Sequence, residues 1–356
     1  MKPFSLFVCI FAMFALTSAA KTGKDSEVRI EKSWKKNAKP LAFEEIDTKD
    51  LLEFAENCYV FGDILVVQNY DNSGKHLLEF ADMKTMEVKR KALMIGNGPG
   101  EVTHAIIYNS GKYLNIDASQ NNKYARIDVA EYMKSEDSKI HFRDYGFFSQ
   151  TLDIWDDEHF ITVNPYKFYS KVMNIDQNDE PRLLIIKDAG YIPEKKGLID
   201  ALDPSAGKLM INHQKKKICY ASNDFSIVEF YDFDLNQLKT LTGPDDMDAK
   251  FQKMGNFLRN DLSGIPVAYT NYCYDDSNIY LAYEGRMLNP MEIIMNDGKI
   301  ENVDTYIFKL DWDGNIRDSF IVSKDKKIKS MSIGPNGELY MSCEVEGILK
   351  LFKARM

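Results

Sequence analysis

The chain lacks most of the patterns by which enzymes and membrane proteins announce themselves. Beyond residue 20 no stretch approaches eighteen consecutive apolar residues, so nothing there is long enough to cross a bilayer as a helix. Gly-x-Ser-x-Gly, His-Glu-x-x-His and Cys-x-x-Cys are all missing, which removes the signatures of α/β-hydrolase, zinc-peptidase and dithiol redox chemistry. The five histidines, His76, His104, His141, His159 and His213, are scattered without metal-ligand spacing. There is no basic excess either. The formal net charge is −9 with no basic stripe, so the chain has no electrostatic footprint for nucleic acid. Long amphipathic helical stretches are scarce, VAEYMKSED (129–137) predicting one or two turns.

What is present begins with a targeting pattern. Lys2, the apolar run Phe4–Leu16 and the small residues Ser18-Ala19-Ala20 read as a cleaved secretory signal peptide over 1–20. Cys9 lies inside the apolar run, with Val8 where a small residue would be needed, which argues against a lipid anchor. Export to the periplasm or outside follows, with a flexible segment over 21–37 and one domain over 38–356. Four cysteines then remain, Cys58, Cys219, Cys273 and Cys343. Export permits disulfides, but their spread over different repeats predicts buried free thiols.

The chain is organised by a repeat. A turn rich in Gly, Asp or Asn is followed by a short β-rich run. It reads FGDILVVQN (61–69), NSGKYLNIDA (109–118), DDEHFITVNP (156–165), QKKKICYASN (214–223), DDSNIYLAYE (275–284) and PNGELYMSCE (335–344). Aligned on Ile64, Tyr113, Phe160, Ile218, Ile279 and Leu339, the spacings are 49, 47, 58, 61 and 60 residues. Period-two segments rich in Val, Ile, Phe and Tyr flank each copy. Four strands per repeat and few helices predict an all-β, six-bladed β-propeller. The last copy has residues for only three strands, so AKPLAFEEIDTKDLL (38–52) is expected to pair with it, closing the ring and covering two sheet edges.

At GNGPGE (96–101), PNGELYM (335–341) and IVEFYDFD…LKTLTGPDD (227–246) the chain resembles the bacterial exported six-bladed propellers of the TolB-like/NHL-like type. The resemblance spans nearly the whole mature chain. It implies a secreted propeller fold and is weak for function.

Two glycine-rich motifs resolve as turns. GNGPGE has no Lys-Ser/Thr behind it and is followed by strand chemistry, so it reads as a connector between repeats rather than a phosphate loop. TLTGPDD repeats the Gly-Pro at 243–244. DWDGN (311–315) begins like a calcium loop, but its twelfth position is Val322 and its flanks are strands; Asp-Gly between alternating apolar runs signals a hairpin.

One constellation emerges from the alignment. Gln68, Asp117, Asn164, Ser222, Tyr283 and Cys343 stand four residues beyond the anchors, and Asn69, Asn223, Glu284 and Glu344 one further. The ligand-binding candidates are therefore Glu101, Gln68, Asp117, Asn164, Asn223, Tyr283, Glu284 and Glu344, expected at one face with the connectors. No catalytic residue is assigned. The inserts 243–266 and 284–302 add to that face, with Met287, Met291 and Met295 either forming a partner surface or capping a blade.

The favoured reading is a non-catalytic, monomeric exported module that binds a protein, peptide or glycan and implies no cofactor. The alternative is a metal-dependent propeller hydrolase or lyase, lactonase-like, with central calcium held by Asp117, Asn164 and Glu284.

Overall fold

Alternating apolar residues between tight turns fold into antiparallel meanders, each strand hydrogen-bonded to the next in sequence. The computed structural model describes residues 26–70, 76–96, 101–118, 123–144, 151–154, 159–163, 169–174, 182–188, 207–233, 236–247, 251–254, 257–260, 264–295 and 300–356. For the strands within 143–188 and 251–260 only the backbone is described. The expected signal peptide lies outside the described residues. So do residues 97–100 of GNGPGE.

The sheets are four-stranded or five-stranded, with one further two-stranded ribbon, Phe251–Met254 with Phe257–Asn260. The first sheet consists of Ala55–Phe61, Ile64–Asn69, Leu78–Asp82 and Val88–Ala92. The second runs from Ile106–Ser110 through Tyr113–Ala118 and Lys123–Asp128 to Arg143–Asp144. A later sheet is built from Gly207–Asn212, Lys217–Ser222, Ile227–Asp232 and Gln237–Thr242. The next comprises Ile265–Tyr274, Asn278–Leu288, Thr305–Asp311 and Ile316–Val322. Lys327–Ile333, Leu339–Val345 and Ile348–Ala354 make the last. This is an all-β propeller fold.

The expectation of six blades is corrected. The ring built by the described side chains has five: the innermost strands Ala55–Phe61, Ile106–Ser110, Gly207–Asn212, Ile265–Tyr274 and Lys327–Ile333 border one central cavity. The third repeat gives a meander by backbone pairing, from Thr151–Ile154 through His159–Val163 and Tyr169–Asn174 to Arg182–Asp188. Its side-chain packing lies outside the described residues. A repeat period counts hairpins, whereas a blade also requires packed faces.

The N-terminal segment runs along the sheet edges. Ser26–Arg29 pairs in parallel with Gln237–Thr242, and Lys39–Pro40 with Ile316–Val322. Phe43–Ile46 pairs antiparallel with Ile348–Ala354 as the fourth strand of the last sheet. Of the segment expected to be flexible over 21–37, residues 26–37 are described, and Ile30 among them is buried. Gly243 makes room for it. At φ +90° a Cβ would meet the Ile30 carbonyl oxygen at 2.8 Å, a contact that only glycine avoids.

Adjacent sheets share apolar layers. Phe80, Leu114 and Ile116 pack between the first two sheets, and Phe230, Tyr269, Tyr283, Phe308 and Trp312 between the 207–242 and 265–322 sheets. Trp312 is buried, meets Tyr274 edge-on at 5.5 Å, and its Nε1–H donates to the Asp275 carbonyl at 2.9 Å. DWDGN is the hairpin turn: Gly314 has φ +69°, and Asp311 Oδ1 accepts from the backbone N–H groups of Asp313 and Asn315 at 2.9 Å each.

Candidate ligand-binding cavity

A first strand has a neighbour on one side only, so its inner edge presents unpaired N–H and C=O groups to the middle of the ring. Side chains from other sheets satisfy several of them. Tyr59 Oη–H donates to the Ile107 carbonyl at 2.6 Å, Asn271 Nδ2–H to Ile328 at 3.1 Å, and the Val60 N–H donates to Ser332 Oγ at 3.0 Å. Ser330 Oγ pairs with Ser342 Oγ at 2.5 Å and donates to the Cys58 carbonyl. What remains between the strands is a cavity of about 400 Å³, within the range of small-molecule sites.

The cavity is narrowed at one end. Near the far ends of the first strands, Asn109 Nδ2–H donates to the Met331 carbonyl at 2.8 Å. Tyr274 Oη bonds Ser110 Oγ and accepts from the Ile211 N–H at 3.5 Å. The Asn109–Met331 and Ser110–Tyr274 bonds join sheets that are not sequence neighbours, the Ile211 contact joins two consecutive ones, and together they form a floor.

The other end is polar and charged. Its lining includes Glu56, Asn57, Lys208, Thr270, Asn271, Lys327 and Lys329. Glu56 accepts from Gln68 Nε2–H at 3.1 Å, and Lys329 lies 3.8 Å from Glu344. Lys208 and Lys327 have no carboxylate partner among the described residues. Burial pulls the Lys208 ammonium below its ordinary value, with no opposing charge to offset it. A second hollow of about 360 Å³ shares Glu56 and Lys329 with the first and is bordered by Asp50, Glu53, Tyr70, Glu344 and Ile348.

Register places the sequence-predicted residues at this charged end. Gln68 pairs with Asn57, Asp117 with Ile106, Tyr283 with Tyr269 and Glu344 with Lys327. Those that are described do not line the cavity as one ring. Gln68, Asp117 and Tyr283 are buried within their sheets. The Tyr283 hydroxyl is occupied by Ser226 Oγ at 2.6 Å and Asp245 Oδ2 at 3.1 Å, and Lys35 holds Asp245 at 2.7 Å. Burial pushes the phenol pKa up. Asn223 links two sheets, its carbonyl accepting from the Ala268 N–H at 2.6 Å. Glu284 is paired with Arg286 at 2.6 Å. Glu101 carboxylate oxygens lie beside Gly96, where a Cβ would collide with one. Glu344 borders the second hollow. Asn164 lies outside the described residues.

Sequence reasoning passed over Lys208, Thr270, Asn271, Lys327 and Lys329. The signal of the lysines was present in GKLMINH and KIKSMSIG, where a lysine stands at or next to the start of the first strand, before its apolar core. Among the described residues no group of three or more His, Cys, Asp or Glu side chains is placed to hold a metal ion, and no helix is long and apolar enough to cross a membrane. Of the inserted methionines, Met287, Met291 and Met295 are exposed, the last two in the short helix Pro290–Met295.

No family model matches the chain, and no curated protein does. Solved structures do. A member of the DUF4221 family from Bacteroides vulgatus superposes with a TM-score of 0.55 at 12% identity, covering 89% of this chain and 96% of that one. A Bacteroides fragilis structure titled "Putative exported protein" gives a TM-score of 0.52 at 12% identity, covering 93% and 99%. Identity at this level establishes the propeller fold alone.

Proposed function

We infer that the chain is an exported, non-catalytic binding module, in keeping with its TolB-like/NHL-like resemblance, whose central cavity receives a small polar ligand from the charged end. The observation that carries this reading is the cross-ring floor. Hydrogen bonds from Asn109 and Tyr274 narrow one end, while the other keeps Asn57, Thr270 and Asn271 along its walls. A peptide or glycan terminus fits a site of that size. The fold supplies a concave site lined by polar groups from several sheets.

The test is an amide-resolved NMR titration of the mature chain with trialanine, N-acetylglucosamine and succinate, repeated on Thr270→Trp, which fills the cavity. Shifts confined to Asn57, Asn109, Thr270 and Asn271 and lost in the variant support the reading. Shifts elsewhere, or shifts that survive the substitution, contradict it.

A further inference from the structure

We propose that the central cavity selects a small molecule through an anionic head group, a carboxylate or a phosphate, received between Lys208 and Lys327. The proposal rests on the cavity reading above and names the ligand chemistry.

The two lysines come from different sheets. Lys208 lies in Gly207–Asn212 and Lys327 opens Lys327–Ile333, and both line the same cavity. The lining holds three lysines and one glutamate, Glu56. Of these, Lys329 faces Glu344, and Glu56 keeps its charge while accepting from the neutral Gln68 amide, so Lys208 and Lys327 leave the lining net positive. The surroundings sharpen the contrast. The chain as a whole carries −9, and the adjoining hollow is bordered by Asp50, Glu53, Glu56 and Glu344 against Lys49 and Lys329. A positive cavity in an acidic molecule is a local feature, and like-charge repulsion outside it disfavours unspecific anion uptake. Leaving a half-buried lysine without a counter-ion costs stability, and burial already depresses the Lys208 ammonium. An anion binding there recovers that cost. Arginine would give a fixed bidentate fork, whereas two lysines give point charges on flexible stems. That suits head groups of either shape.

The experiment is isothermal titration of the mature chain at low and physiological salt. The probes are succinate and citrate as carboxylates, glucose 6-phosphate as the phosphate, and succinamide and glucose as their uncharged counterparts. The expected result is that at least one charged probe binds ten-fold or more tightly than its counterpart and weakens as salt rises. The comparison between arms identifies the head group. Lys208→Gln and Lys327→Gln each lower that affinity by ten-fold or more while their unfolding midpoints without probe stay close to that of the parent. Equal affinity for charged and uncharged probes overturns the proposal but leaves the cavity reading standing, provided Thr270→Trp abolishes both. Binding that survives the double lysine variant overturns it as well. If no probe binds in the cavity, both readings fall.

Discussion

Replacing Tyr274 by Phe removes one oxygen and keeps the ring, so it isolates the hydrogen bonds that close the cavity floor. The hydroxyl is shared between Ser110 Oγ and, at 3.5 Å, the Ile211 N–H. The second contact is at the limit of a hydrogen bond and contributes little. The first is a buried hydrogen bond, and losing one costs about 0.5–1.5 kcal/mol. The edge-on contact with Trp312 survives in the variant. The expected destabilisation is therefore about 1 kcal/mol, read as a lowered urea midpoint at unchanged slope. Ser110→Ala removes the other partner, and the double variant should cost less than the sum of the two single ones, with a coupling of about 1 kcal/mol. A Tyr274→Phe midpoint equal to that of the parent, with no coupling to Ser110, would refute the cross-ring bond and the floor with it.

Lys208→Met should leave the ligand-free protein as stable as the parent or more so, by about 0.5–2 kcal/mol in thermal melts, because it removes an uncompensated charge; a clear loss would show that Lys208 has a structural partner. Asp311 gives a pH dependence: burial alone would raise its pKa, but hydrogen bonds from Asn315 and Arg317 outweigh that and hold it below the ordinary 3.8. Its contribution is present above that value and is lost as pH falls through the lower folded value, so Asp311→Asn should cost about 1–2 kcal/mol at pH 7 and almost nothing in acid melts below both. Burial pushes the Cys58 and Cys343 thiols up to about 12, and all four described cysteines are buried and free. Ellman titration should find them silent in the native chain and four thiols after denaturation; a count of two or fewer would mean disulfides. Phe43 packs edge-on against Phe352 at 5.8 Å in the strand that completes the last sheet, so Phe43→Ala should destabilise the chain by about 2–4 kcal/mol in urea, and a neutral result would contradict that pairing.

The strands were legible because each hairpin is written locally. Anchors such as Ile64, Tyr113 and Ile279 open or nearly open second strands, and period-two runs mark their partners. The pairing of 38–52 with the last sheet was legible from a missing fourth strand. The parallel edge strand Ser26–Arg29 was not. Its only local hint is Gly243, whose open space has meaning once Ile30 is known to fill it. The same limit applies to the cavity. Alignment finds the charged end by placing Gln68, Asp117 and Tyr283 there, but those side chains are buried, with Gln68 bonded to Glu56 and Tyr283 to Asp245. Lys208 and Lys327 stand at the starts of first strands, second and first in them, and border the middle of the ring. Which strand is innermost follows from how the sheets pack together, and no single repeat contains that information.

The most direct test of the account is a crystal structure of the mature chain soaked with the anion that binds in titration, at a resolution that shows ordered small molecules. The account predicts density between Lys208 and Lys327, with the Tyr274–Ser110 and Asn109–Met331 contacts intact beneath it. An open passage through the ring, or an anion held at the outer rim with the cavity lysines paired elsewhere, would contradict it.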